Sequence, residues 1–114
     1  MLGIIKRLFA KSAFIGELTS QLIKEEIIFI SNTLEMMRDE KEISNDAYLE
    51  YGSIQGGLAV VSNLLEQGVG VEEIVPLLRT LHEKTKILDK KYPGVNKTIE
   101  SGKYGYSITS IEEK

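Results

Sequence analysis

Two apolar seams joined by a short connection restrict the fold of this chain more than any other feature. In residues 47–65 and again in residues 71–92, side chains suited to a protein interior recur at alternating spacings of four and three. That spacing places them on one side of an α-helix. The first seam consists of Ala47, Tyr51, Ile54, Leu58, Val61 and Leu65, and the second of Val71, Ile74, Leu78, Leu81, Thr85, Leu88 and Tyr92. Because the connection at residues 68–70 is short, we expect the two helices to be antiparallel neighbours.

A third helical pattern precedes both seams and runs from about Phe14 to about Lys41. Its apolar residues cover about half of the helix circumference, which predicts a central helix with neighbours on two sides. Two polar residues, Glu26 and Thr33, lie inside that apolar arc. We expect the stem of Glu26 to pack while its carboxylate reaches solvent or a lysine. The alternative is a carboxylate that contacts a ligand or a partner.

Local signals predict where the helices begin and end. Ser44 or Asn45 is expected to cap the second helix, because either side chain can accept a hydrogen bond from an amide of the first turn. That helix is expected from about Asp46 to Gln67, with Gly68 in a left-handed conformation at its end. Pro76 lies inside the third helix and predicts either a kink or a short first turn that restarts there.

The two termini carry weaker patterns. Residues Leu2 to Phe9 form a candidate amphipathic helix, which we expect to pack on the bundle. Residues 95–114 are mostly polar and are expected to form an irregular strap or a partly disordered tail. The sequence therefore predicts an all-α fold, an antiparallel bundle of three long helices plus a short N-terminal helix. We expect a helical bundle over residues 1–94 and a C-terminal tail over residues 95–114.

Composition argues against several classes of function. There is no cysteine, so neither a disulfide framework nor thiolate chemistry is expected, and we expect a cytoplasmic protein. The net charge is -3 and the third helix begins with Glu72 and Glu73, which would repel phosphates, so nucleic-acid binding is not expected. The single histidine, His82, lacks partners at the spacing of metal ligands. With no catalytic or cofactor-binding motif, we expect a protein that is not an enzyme and that binds no metal or cofactor.

A stripe of small residues in the second helix supports the leading functional hypothesis. Two adjacent glycines in mid-helix each cost about 1 kcal/mol relative to alanine, so we expect a contact that offsets them. Close packing of another helix, either the first helix or a second copy of the chain, is the favoured explanation. The alternative is a ligand lying against exposed backbone. The predicted association face consists of Ser53, Gly56, Gly57, Val60 and Leu64.

The leading hypothesis is a small non-enzymatic binding protein that acts through this helical surface and self-associates. It would serve as an adaptor, an inhibitor or an immunity-type module. A second hypothesis is a sponge or sensor for a nucleotide or another small anionic metabolite, held in a pocket at a subunit interface. Its candidate ligand contacts are Glu26, Lys97, Lys103, Tyr104 and Tyr106. A third hypothesis is a module that binds a membrane surface through residues Leu2 to Phe9.

Overall fold

A computed structural model describes residues 18–102, and every regular element within that range is an α-helix. The elements are α1 (Ser20–Asp39), α2 (Asn45–Glu66), α3 (Val71–Lys91) and α4 (Val95–Ser101). The prediction of an all-α fold with three long helices is confirmed. The predicted helix at Leu2 to Phe9 lies outside the described residues, as does the end of the chain from residue 103 onward.

Side-chain caps set the starts of the first two helices. Thr19 has an extended backbone, and its Oγ1 accepts a hydrogen bond from the amide of Leu22 at 3.2 Å. The first helix therefore begins at Ser20, and the predicted start near Phe14 was wrong. Ser44 caps α2, because its Oγ accepts from the amide of Ala47 at 3.1 Å.

The predicted connection between α2 and α3 is present. Gly68 has a φ of 89°, in the left-handed region that favours glycine, as predicted. One continuous helix then runs through Pro76 from Val71 to Lys91. The hydroxyl of Thr80 donates a hydrogen bond to the carbonyl of Pro76 at 3.1 Å, one turn along that helix.

Helix α2 is the central element of the described bundle and packs against both α1 and α3. Ion pairs near the helix ends show that both packed pairs are antiparallel. Lys24, early in α1, pairs with Glu66 at the end of α2, and Lys91 at the end of α3 lies 2.8 Å from Glu50, early in α2. The first helix was expected to be central, with neighbours on two sides; it does contact two helices, α2 and α4, but α2 is the one that packs against both other long helices. Short connections make consecutive helices neighbours, and α2 is the helix that such connections join to a long helix at both ends.

The core lies where the seams of α2 and α3 meet α1. Tyr51, Ile54, Leu58, Ile74 and Leu78 are fully buried in it, together with Ile23 and Ile30 of α1. Burial decreases only at the ends of the seams, where Val71 is exposed and Leu65 and Tyr92 are half-buried against the core. The alternating spacing of three and four therefore identified the buried side of both helices.

Residues 95–101 form helix α4, so the expectation of an irregular tail was wrong for them. Gly94, with a φ of 96°, reverses the chain after α3. Val95, Asn96 and Ile99 are then buried, and α4 packs against α1 and α3. A helix this short is unstable alone, and its sequence carries a single turn of pattern. Contact with the bundle supplies the stability that the local sequence lacks.

Candidate functional site

Gly57 marks the close approach between α2 and α3. A Cβ atom at this position would lie 2.3 Å from Cδ2 of Leu81 and 3.2 Å from its Cγ, so a side chain here would collide with α3. Close helix packing was expected at this glycine, but with the first helix or a second copy of the chain. The structure places α3 there instead, because Gly57 lies on the side of α2 that is turned toward that helix.

An apolar groove of about 200 Å³ opens beside this contact. We call it the α2–α3 groove, and its lining consists of Gly57, Val60, Val61, Leu77, Thr80 and Leu81. Val60 is 55% exposed and Leu77 is 38% exposed, so large apolar side chains on both helices face solvent across the groove. Exposed apolar side chains that cluster on two neighbouring elements are typical of an interaction surface.

The five residues of the predicted association face do not share one environment. Gly57 contacts α3 and Leu64 is half-buried against the core. Ser53, Gly56 and Val60 are exposed instead, and a Cβ at Gly56 would meet nothing within 4 Å. Adjacent residues lie about 100° apart around a helix, so Gly56 and Gly57 face different directions. The prediction thus combined an internal packing contact with part of an outer surface.

Two outer stripes flank the groove, one on each helix. The stripe on α2 consists of Leu49, Ser53, Gly56 and Val60, and the stripe on α3 consists of Glu73, Leu77, Thr80, Lys84 and Ile87, all of them exposed. The α3 stripe was not predicted, because only the buried seam of this helix was considered. The signal was nevertheless present, since these α3 positions also alternate spacings of four and three.

The charged side chains near the two stripes differ in whether they form ion pairs. Glu73 and Lys84 are exposed, and neither forms an ion pair with another described residue. At the far end of the helices, Glu50 accepts hydrogen bonds from Nζ of Lys91 at 2.8 Å and from the hydroxyl of Tyr92 at 2.5 Å. These bonds hold the pKa of Glu50 below its ordinary value, and the bond to Glu50 raises the pKa of Lys91 and that of Tyr92.

Of the five predicted ligand contacts, two lie within the described residues. Glu26 is 0% exposed, so its carboxylate does not reach solvent, which was one of the two positions expected for it. Lys97 is exposed on α4. Lys103, Tyr104 and Tyr106 lie outside the described residues.

A buried chain of hydrogen bonds, which the sequence analysis did not predict, joins three helices. The hydroxyl of Tyr51 in α2 donates to Oδ1 of Asn96 in α4 at 2.6 Å, and Nδ2 of Asn96 donates to the carbonyl of Thr85 in α3 at 3.2 Å. Burial, with the nearby negative charge of Asp89, raises the pKa of Tyr51, so this side chain is a neutral donor. These hydrogen bonds lie in the interior and connect α2, α3 and α4, so their role is structural.

Neither a metal-binding cluster nor a membrane-spanning helix is found within residues 18–102. Between residues 18 and 102, no group of three or more His, Asp or Glu side chains is placed to hold a metal ion. None of the helices in that range is both long and apolar enough to cross a membrane. No protein-family model, no curated protein and no solved structure matches the chain.

Proposed function

We propose that this chain is a small non-enzymatic binding protein that acts by packing the face formed by α2 and α3 against a protein partner. The α2–α3 groove is the observation that supports the proposal. It combines exposed apolar side chains, Val60 and Leu77, with a floor at which Gly57 contacts the side chain of Leu81. A protruding side chain of a partner could pack into such a groove.

The dimensions of the groove favour a protein over a small molecule. Its volume is about 200 Å³, whereas pockets for small molecules usually span about 300–1,000 Å³ and contain several convergent polar groups. Thr80 is the polar side chain among the lining residues. Leu49 and Ile87, which are 69% and 65% exposed, extend the apolar surface beyond the groove. An apolar centre with a polar surround is typical of protein–protein interfaces.

The chemistry of the lining also favours binding over catalysis. General acid–base catalysis needs a side chain whose pKa lies near the working pH, positioned within hydrogen-bond reach of a substrate. The groove is lined by glycine, valine, leucine and threonine, and none of these titrates near neutral pH. The face can therefore supply shape and apolar contact, which are the requirements of an adaptor or an inhibitor.

Site-specific photo-crosslinking tests the proposal in the native cell extract. One variant carries a photoreactive amino acid in place of Val60, and a matched variant carries it in place of Ile28 on α1. Both native side chains are apolar and similarly exposed, at 55% and 56%. We expect discrete protein cross-links, to the same chain or to another, from position 60 and not from position 28. Equal labelling at both positions, or none at position 60, would contradict the proposal.

A further inference from the structure

We propose that the partner of the α2–α3 face is a second copy of this chain, related by a two-fold axis that crosses the groove at right angles to the helices. The inference rests on the proposed function, because it names the partner of the same face. A two-fold contact requires a surface that is complementary to itself when its direction is reversed. The two outer stripes meet that requirement at the same level of the bundle.

The α3 stripe is self-complementary about a point between Leu77 and Thr80. When α3 packs against a reversed copy of itself centred there, Leu77 of one chain lies opposite Thr80 of the other. Glu73 and Lys84 each lie four residues farther out, so each carboxylate meets an ammonium group of the second copy. Because neither side chain has an ion-pair partner among the described residues, both are free to form this contact.

The same axis suits the α2 stripe. Because α2 and α3 are antiparallel and Gly57 contacts Leu81, an axis that crosses α3 two to three residues before Leu81 crosses α2 two to three residues after Gly57, next to Val60. A reversed α2 then brings the exposed Val60 side chains of the two copies together at the axis. No atom lies within 4 Å of a Cβ built at Gly56, one turn away on the same stripe, so the neighbouring surface of α2 is open to the second copy.

The size of the face is adequate for a stable dimer. α2 has 22 residues, so it is about 33 Å long at 1.5 Å per residue. Two packed helices about 10 Å apart present a surface about 20 Å wide. The resulting area is on the order of 600 Å² per copy, close to the roughly 800 Å² per partner of standard interfaces. The flanking ion pairs then act mainly on orientation, since a shifted or parallel copy would lose the match between Glu73 and Lys84.

Sedimentation equilibrium of the full chain, with circular dichroism to verify folding, tests the inference. We expect the wild type to become a dimer as its concentration rises to about 100 µM. The variant Val60→Asp should lose this association. The variants Glu73→Lys and Lys84→Glu should each weaken self-association by about tenfold, because each replaces two symmetric attractions by repulsions. The matched control Lys97→Glu changes the charge equally on α4 and should leave association unchanged.

Charge exchange supplies the decisive arm. The double variant with Glu73→Lys and Lys84→Glu should regain the wild-type association constant within about twofold. An equimolar mixture of the two single variants should also form heterodimers, because one copy then carries two lysines and the other two glutamates. A monomeric wild type, or a double variant that is no better than the single variants, would overturn the second copy as partner. If the wild type is monomeric while position 60 cross-links to a different protein, this inference fails and the proposed function stands.

Discussion

At the scale of single residues, the side chain of Asn96 joins α4 to both α2 and α3, a role that its sequence context did not predict. Its side-chain oxygen accepts from Tyr51, and its side-chain nitrogen donates to the backbone of Thr85. Tyr51 is 0% exposed and Asn96 only 7% exposed, so water cannot replace these bonds. A buried polar group left without its partner costs more than the bond itself contributes.

The variant Asn96→Ala tests this link. We expect it to lower the free energy of unfolding by about 1–3 kcal/mol, because the Tyr51 hydroxyl loses its buried acceptor. Urea denaturation followed by circular dichroism measures the change. The neighbouring Lys97→Ala, on the exposed side of α4, should alter stability by less than about 0.5 kcal/mol. In a double-mutant cycle with Tyr51→Phe, purely additive effects would contradict the interaction.

Two glycines of α2 provide a matched test of the close contact with α3. Both Gly52 and Gly57 lie inside the helix, where alanine is favoured by about 1 kcal/mol. A Cβ at Gly52 meets nothing within 4 Å, whereas one at Gly57 meets Leu81. We therefore expect Gly52→Ala to raise the thermal midpoint. The midpoint of Gly57→Ala should be lower than that of Gly52→Ala, because Leu81 has to shift. Calorimetry measures both, and a Gly57→Ala variant as stabilised as Gly52→Ala would show that α3 does not constrain this position.

At the scale of the elements, ion pairs connect both ends of α2 to its neighbours. Glu66 accepts from Lys24 of α1, and Glu50 accepts from Lys91 of α3. In each pair the pKa of the glutamate is lowered, and the hydrogen bond from the lysine is the largest cause of that shift. A lowered pKa in the folded state stabilises the protein above the unfolded pKa. That contribution disappears as the pH falls through the folded pKa.

The acid side of the stability profile tests these pairs. Stability should decline as the pH falls from the ordinary glutamate pKa of 4.5 toward more acid values. In Glu50→Gln this decline should be shallower, because one carboxyl that takes up a proton on unfolding is absent. Thermal midpoints between about pH 2.5 and pH 6 at low salt provide the measurement, since salt screens exposed pairs. Asp46→Asn, also in α2, serves as the control, and an equal change in slope there would contradict the assignment to Glu50.

At the scale of the whole molecule, α4 makes the end of the described chain part of the core. Val95 and Ile99 belong to the same buried cluster as the long helices, although α4 has only seven residues. Its short length excludes independent stability, so its helical state depends on docking against α1 and α3. The described bundle should therefore unfold with α4 as one unit.

Truncation of Ile99 tests that cooperativity. Ile99 is 1% exposed, and we expect Ile99→Ala to destabilise the bundle by about 2–5 kcal/mol. The chain has no tryptophan, so the fluorescence of its five tyrosines, including Tyr51 in the core, can be followed alongside circular dichroism. Both signals should shift to the same lower midpoint. A loss of α4 hydrogen-exchange protection with an unchanged midpoint would instead show that α4 detaches alone.

The candidate site was predicted only in part from the sequence. Ser53, Gly56 and Val60 were assigned to an association face from helical spacing, and the structure leaves them exposed beside the groove. Leu77 and Thr80, which complete the groove, were missed because on their helix, α3, only the buried seam was followed. Spacing relates residues within one helix, whereas a groove exists only where two helices meet.

The sequence by itself determined the three long helices, the buried seams of α2 and α3, and the turn between these two helices. These depend on interactions over a few residues: side-chain caps such as that of Ser44, a left-handed glycine at position 68, and the repeat of the helix itself. Only the tertiary structure decided which helix is central, which neighbour Gly57 contacts, and that residues 95–101 are helical. Those outcomes depend on contacts between segments that are distant along the chain, and no local pattern of residues encodes the distance between them.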